Sequence, residues 1–406
     1  MDCDGKLLLP GAVDISLNLL NNGPFDPDSE AGLGLATEQA ARGGVTTVVA
    51  AMTLDPGEPA DSAIEAQARA DTGKAFVDFG HHLLLTEWDP GRGKQLRSAT
   101  EAGVPSAWLP CQGMDSPNPS PALLLALLPE VPDDFLLLAS PFDAAAVASN
   151  LNRLGDALGS EPDLWRETLT PAQEAAAVEA LLRHTAGSRA RILLQGVTTH
   201  LSLEAYRQGR DRSQRVHLAA SLPHLLFFDG EEAAPRTWPP ARGRNDQQGL
   251  YSALEDGTCH LITGAHKPRT AAQANGADPQ TGIPMQGLST LSRFYQALHG
   301  DGVARWRLSL GTLAHVAAAD PAKLAGLYPR KGSLMPGSDA DIVVLDPQQR
   351  TEPKADGKGE FLAPLEARPY DGRIERVYLR GSLLSENDAV VGKPAGEFLP
   401  RRPSLR

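Results

Sequence analysis

Short apolar, β-branched runs alternate with longer Ala-rich stretches along most of this chain, and that alternation limits the available folds more than any other feature. Residues 7–9 stop at Pro10-Gly11, and residues 12–20 read as a strand and its exit loop. A helix over 30–43 is closed by Gly43-Gly44, and the run 45–50 is β-branched enough for a strand buried on both faces. The pattern repeats: helix 61–72, strand 76–85, strand 136–139, helix 171–186, strand 191–195, helix 201–209, strands 216–220 and 260–263, and helix 286–300. Each parallel connection needs a crossover, which a helix supplies, so the pattern predicts a parallel α/β protein, either a closed barrel or a doubly wound open sheet. No GxGxxG or GxxxxGK[ST] follows any strand, which leaves the dinucleotide and P-loop versions without support. The C-terminal region changes character: 341–346 and 376–381 read as strands joined by a polar, Pro- and Gly-rich loop at 347–372, a small β module.

Composition narrows the partners. A length of 406 residues suits one large α/β barrel with an appended module. The formal charge of −12 and pI near 5.3 leave no clustered Lys and Arg for a phosphate backbone, so nucleic acid is not an expected partner. Cys3, Cys111 and Cys259 are odd in number and widely separated, which fits neither a disulfide framework nor a thiolate zinc knuckle and points to a reducing cytoplasm. Residues 1–5 lack the basic and apolar regions of a signal peptide, and no apolar run approaches the ~18 residues of a membrane span. Neither export by that route nor membrane insertion is expected.

Several stretches carry a family likeness. The most specific is DPAKLAGLYPRKG at 320–332 followed by GSDADIV at 337–343. PGAVD at 10–14, AARGGVTT at 40–47, WPP at 238–240, ALEDGT at 253–258 and TGIP at 281–284 add to it. Together they resemble the dihydropyrimidinase, hydantoinase and allantoinase branch of the amidohydrolase superfamily, with dihydroorotase more distant. The resemblance runs from about Lys6 to about Pro400. It implies a (β/α)8 TIM-type barrel over 10–335 and a small β-sandwich module formed by 1–9 and 336–406. Family members carry several sandwich strands before the barrel, whereas nine residues precede Pro10 here, so the sandwich is expected to be reduced or the natural start to lie upstream of Met1.

The family hydrolyses a ring amide with two divalent metals at the C-terminal strand ends, where metal-bound hydroxide attacks the carbonyl carbon. Carried over position by position, the resemblance places Ser16 and Asn18 where the His-x-His pair of the first strand belongs, and Trp108 at the bridging carboxylated lysine. Ser140 and Gly196 fall at the third and fourth histidines, and Ala265 at the general-base aspartate. Gly113 falls near the substrate-orienting tyrosine. None of these side chains binds a hard or borderline metal as the family does, so no metal and no other cofactor is expected.

The remaining histidines offer little replacement. His81 and His82 are adjacent in one strand and face opposite ways, while His217 and His224 are separated by a turn at Pro223. The ordinary reading of these, and of His200, His260 and His266, is structural. Candidate ligand-binding residues in the emptied mouth are Asp14, His224, His266, Lys267 and Arg269; the competing readings are a strand cap for Asp14 and exposed loop cations for Lys267 and Arg269. Arg210, Asp211 and Arg212 read as a solvated turn, and Glu161 and Glu174 as surface helix positions rather than an acid/base pair.

Three functions compete. The first is a non-catalytic homologue kept as a structural or regulatory subunit, as in the collapsin response mediator proteins and in the dihydroorotase-like subunits that support some aspartate transcarbamoylases. The second is a divergent hydrolase of dihydropyrimidine, hydantoin, allantoin or dihydroorotate with an unusual, zinc-dependent site. The third is a ureide- or nucleobase-binding protein. The resemblance further implies a homo-oligomer, dimer or tetramer, in which 347–406, ending in Phe398-Leu399-Pro400, embraces a neighbour, and it allows an enzyme partner subunit.

Overall fold

The structure, a computed structural model, describes residues 3, 5–19, 32–55, 57–85, 91–109, 120–155, 157–212, 215–231, 234–268, 287–354 and 363–403. Among these lie thirteen strands: β1 (Leu7–Pro10), β2 (Ala12–Leu17), β3 (Val45–Thr53), β4 (Asp78–Leu84), β5 (Ser106–Trp108), β6 (Leu136–Ala139), β7 (Arg191–Gln195), β8 (Val216–Ser221), β9 (Leu261–Thr263), β10 (Ile342–Thr351), β11 (Tyr370–Leu379), β12 (Ser382–Glu386) and β13 (Ala389–Val390). Strands β2 to β9 form one eight-stranded parallel sheet in chain order, with helices between them, the (β/α)8 arrangement. The seam between β2 and β9 is not a full ladder. It is closed by a bridge between Leu17 and His266, by the Asn18 N–H donating to the His266 carbonyl at 3.1 Å, and by the Asp14 carboxylate.

The barrel interior is aliphatic: Val13, Ile15, Val49, Leu136, Leu138, Leu193, Ala219 and Leu261 form one buried cluster. Full burial of such side chains contributes roughly 1.5–3 kcal/mol each. The outward-facing residues of the same strands pack against the helices, as expected where β-branched and apolar runs are covered on both faces. Helix starts are read plainly in the sequence. Thr170 and Gln173 form a capping box with Pro171 in the first turn, and the Asp143 carboxylate accepts from the Ala145 and Ala146 N–H groups.

The second sheet is antiparallel, ordered β1-β10-β11-β12-β13, so the residues before Pro10 supply one edge strand of the small module. A buried ion cluster joins it to the barrel. Lys331 Nζ lies 2.5 Å from Asp78 at the start of β4, 2.9 Å from Asp341 and 3.0 Å from Asp339. Arg380, just past β11, also pairs with Asp78, and its backbone N–H donates to Asp341 at 2.9 Å. Burial pulls the Lys331 ammonium down, but the Asp341 and Asp78 carboxylates more than offset it and the group is held charged. For Asp341, burial wins over Lys331 and its carboxyl is raised; for Asp339, Lys331 and Arg330 outweigh burial and it is lowered.

Residues 396–401 complete the barrel floor. Phe79 N–H donates to the Glu397 carbonyl, Leu399 N–H to Phe79 and Arg401 N–H to Gly103, at 2.9, 2.7 and 2.8 Å. Leu399 joins the interior cluster, and Arg401 is fully buried, donating to Ser106 Oγ at 2.6 Å and to the His81 carbonyl. Phe398 and Leu399 thus pack on this chain's own barrel.

Two expectations change. The helix expected over 286–300 begins as a tight turn at Leu291–Arg293, continues as Phe294–Ala297 and widens into π-type turns over Leu298–Arg305; before it, the Leu288 carbonyl accepts from the Lys267 N–H and the Thr290 N–H donates to His266 Nδ1. Glu174 is not at a surface position but is fully buried.

Candidate functional site at the barrel mouth

Parallel strands in a barrel aim their C-terminal ends at one face, where function collects. Ser16 lies near the end of β2 and Asn18 just beyond it; Trp108 ends β5; Ser140 and Gly196 directly follow β6 and β7; Ala265 follows β9 by one residue. The fold thus brings all six substituted positions to the same rim. They present two hydroxyls, a carboxamide, an indole, a glycine and a methyl group. Zinc and its neighbours are held by imidazole, carboxylate or thiolate, so this donor set does not fit a divalent pair. Among the described residues, no group of three or more His, Cys, Asp or Glu side chains converges as a metal site.

Asp14 is fully buried, and its Oδ1 accepts from the Ser16 and Gly264 N–H groups, both at 3.1 Å, which ties β2 to the segment after β9. Oδ2 is buried without a partner. Burial pushes the carboxyl up to about 6, with the two backbone N–H groups offsetting only part of it. Gly264 is required there: a Cβ would stand 2.7 Å from Asp14 Oδ2 and 2.6 Å from Leu291. Asp14 therefore faces the seam between first and last strands.

Ser16 turns the other way. Its hydroxyl donates to Gln195 Oε1 at 2.6 Å, across the rim from β2 to the end of β7. Gln195 Nε2 is buried and unpartnered. On the β5 side, the half-exposed Trp108 indole packs on the aliphatic interior cluster. Gln195 was not singled out from the sequence; the signal was its place as the one polar residue closing the apolar run 191–195 at a strand's C-terminal end.

His224, His266 and His82 are committed inside the protein. His224 Nε2 donates to the Pro239 carbonyl at 2.7 Å, so Nδ1 is the acceptor of the Ser221 hydroxyl at 2.5 Å. Burial brings it down to about 4. His266 Nδ1 accepts from the Thr290 N–H at 3.0 Å, and burial lowers the ring to about 3; its Nε2 is buried and unpartnered. His82 faces inward, donating from Nε2 to the Ile15 carbonyl at 3.1 Å and accepting from Ser106 at 2.6 Å, while His81 faces out to stack on Phe398. Lys267 is half-buried beside the seam, its N–H donating to the Leu288 carbonyl at 3.1 Å. Arg269, Gly113, Cys111 and the 281–284 stretch lie outside the described residues.

Glu174, read as a surface residue, supports the rim from behind. It accepts from the Thr198 N–H at 2.7 Å, the Thr198 hydroxyl at 2.5 Å and the Thr199 N–H at 3.2 Å, and it pairs with buried Arg242 at 3.1 Å. These contacts fix the turn after Gly196. A helix position facing a strand-exit loop inverts the usual exposure of a glutamate, which sequence periodicity alone does not reveal.

The fold corresponds to that of known proteins. A sequence profile described as the amidohydrolase family matches residues 280–384. A D-hydantoinase from Ralstonia pickettii is 27% identical over 424 residues, spanning 99% of this chain and 90% of that protein. A dihydroorotase from Halobacterium salinarum is 27% identical over 410 residues, spanning 94% and 87%. The crystal structure of dihydropyrimidinase from Brevibacillus agri shares the fold with a TM-score of 0.86 at 23% identity, covering 100% of this chain and 91% of that one. Over nearly its whole length the chain is similar to members of the amidohydrolase superfamily, and within it to the cyclic amidohydrolase branch of hydantoinases and dihydroorotases.

Proposed function

We propose that this protein is a non-catalytic homologue of the metal-dependent cyclic amide hydrolases, kept as a structural or regulatory subunit. The observation that carries this reading is the rim itself: Ser16, Asn18, Trp108, Ser140, Gly196 and Ala265 occupy the strand ends where the family places its ligands and its base. Without a Lewis acid, water near neutral pH is a poor nucleophile toward an amide, and among the described residues no buried acid/base pair faces the rim to replace it. The protein carries no resident metal in this reading. It works in the cytoplasm as a homo-oligomer, dimer or tetramer, and the enzyme partner it supports is of the same metabolic class as its relatives. Among the described residues, no helix is long and apolar enough to cross a membrane.

Elemental analysis of the purified protein, with hydrolysis assays on dihydrouracil, hydantoin, allantoin and dihydroorotate, tests the proposal. Sub-stoichiometric metal and no turnover are expected, also after incubation with zinc. Stoichiometric zinc with turnover of any of the four would sink it and return the chain to the hydrolases.

A further inference from the structure

We infer that the floor of the barrel, beneath β7 and β8, binds a small oxyanion of the sulfate or phosphate class between the Arg191 guanidinium and the imidazoles of His217 and His260. The floor lies at the opposite end of the barrel from the rim, so turnover or its absence there does not bear on this site.

Leu193 and Ala219 belong to the aliphatic interior. The two-residue period of a strand therefore puts Arg191 and His217, each two positions earlier, on the same inner face at the bottom of β7 and β8. His260, which leads into β9, brings its ring to 5.0 Å from that of His217, at 83° to it. Both histidines are only half-buried, so this corner is reached by solvent. His260 Nδ1 accepts the Leu218 N–H at 3.1 Å, which places the ring proton on Nε2. Arg191 donates from Nε to the Asp134 carbonyl and from Nη1 to the Leu324 carbonyl, at 3.0 and 2.8 Å, and its Nη2 has no partner among the described residues. The carboxylate nearest in effect, that of Asp134, is held by Arg215 at 2.5 Å.

A second guanidinium stands behind the first. Arg401 is fully buried, it donates to the Ser106 hydroxyl and to the His81 and Ala325 carbonyls, and its Nε is unpartnered. Arg191 and Arg401 thus meet at successive carbonyls, Leu324 and Ala325, which end the helix Asp320–Ala325. A helix C-terminus carries roughly half a negative charge, against two full positive ones here. Burial, and after it Arg191, bring the Arg401 guanidinium down to about 9, and burial brings Arg191 down to about 10. His217 is lowered to about 3 by burial, with His260 and Arg191 adding to it. In a chain of net charge −12, this corner holds positive charge in excess. An anion relieves that repulsion, and its bonds to a guanidinium are charge-assisted. Donors that arrive from an arginine and from two rings set nearly at right angles suit an ion with oxygens on several sides better than a halide.

Sodium sulfate titrated calorimetrically into the full chain, with ionic strength held by sodium chloride, should bind saturably with a Kd of about 1 mM or tighter. At about ten times that concentration it should raise Tm by about 1–2 °C over the chloride control. The ring-proton resonances of His217 and His260 should move in the same titration, and inorganic phosphate should compete. Arg191→Met should weaken sulfate by roughly tenfold or more. His217→Phe keeps a ring against His260 but removes its donors, and should weaken sulfate by roughly threefold; it carries the test alone if Arg191→Met does not fold. No saturable binding above the chloride control, still histidine resonances, or unchanged affinity in a folded variant overturns the inference.

Discussion

The two ends of this barrel have opposite chemistry. At the floor, Lys331, Asp78, Asp339, Asp341 and Arg380 are charged and engaged with one another, and the 396–401 segment seals the strands below them. At the mouth, the side chains at the strand ends are neutral, and the ionisable groups beneath them are pushed toward their uncharged forms. The run that most clearly marks the family, 320–343, supplies the floor and not the mouth. Its Lys331, Asp339 and Asp341 join the two sheets. On the proposed reading a chain keeps that signature in full while its reaction centre is rebuilt, because in a barrel the N-terminal face answers for stability and the C-terminal face for function.

Acid should separate the ends most strongly. His82, His217, His224 and His266 are all lowered by burial, to about 3 for His217 and His266 and about 4 for His224. A base lowered in the folded state leaves the unfolded chain to take up protons first. Their contribution is therefore complete above about pH 6.5 and is lost as pH falls toward 4. Asp14, raised to about 6, works in the opposite sense over part of that range. Four histidines against one aspartate leave roughly three net protons, a loss of up to about 4 kcal/mol per pH unit. Urea unfolding at a series of pH values should show this slope beginning near 6.5. The lowered Asp339 of the floor should add its own loss only below its ordinary value of 3.8. A flat profile down to pH 4 would mean these histidines are not buried neutral.

Breaking the floor comes next in size. Lys331→Met leaves Asp78 and Asp341 buried against each other with only Arg380 to balance them, and removing one partner of a buried pair costs about 3–5 kcal/mol. Urea midpoints should fall accordingly, with any binding at the mouth unchanged in the fraction that folds. A loss under about 1 kcal/mol would remove the cluster's claim to hold the sheets together.

The smallest effect sharpens the mouth. Asp14→Asn keeps the acceptor for Ser16 and Gly264 but removes a carboxylate ionised at a cost above pH 6. Stability at pH 8 should rise, by at most about 3 kcal/mol, and the gain should vanish below pH 4. A loss at pH 8 would mean that Oδ2 holds a cation or donor there.

Much of the fold was legible in the sequence because strand and helix periods are local. Residues 136–139 and 191–195 are strands at those same bounds, and the helix starting at Pro171 announces itself through its cap. The helix expected over 286–300 starts only at Leu291, because Leu288 and Thr290 are tied instead to Lys267 and His266, contacts that apolar periodicity does not carry. At the site, the proposed loss of ligand types at Ser16, Trp108 or Ala265 needs only residue identity. Gln195 and Glu174 could not be weighed in the same way, since their meaning lies in what stands across the barrel or behind the loop: Ser16 for one, Thr198 and Arg242 for the other.

The floor also sets an order of events. Leu399 and Arg401 are tied through their backbone to Phe79 in β4 and to Gly103 just before β5, so a nascent chain lacks this seal until residue 401 has cleared the ribosome. Until then the aliphatic interior is without that cover, and this is the interval in which chaperones have something to hold.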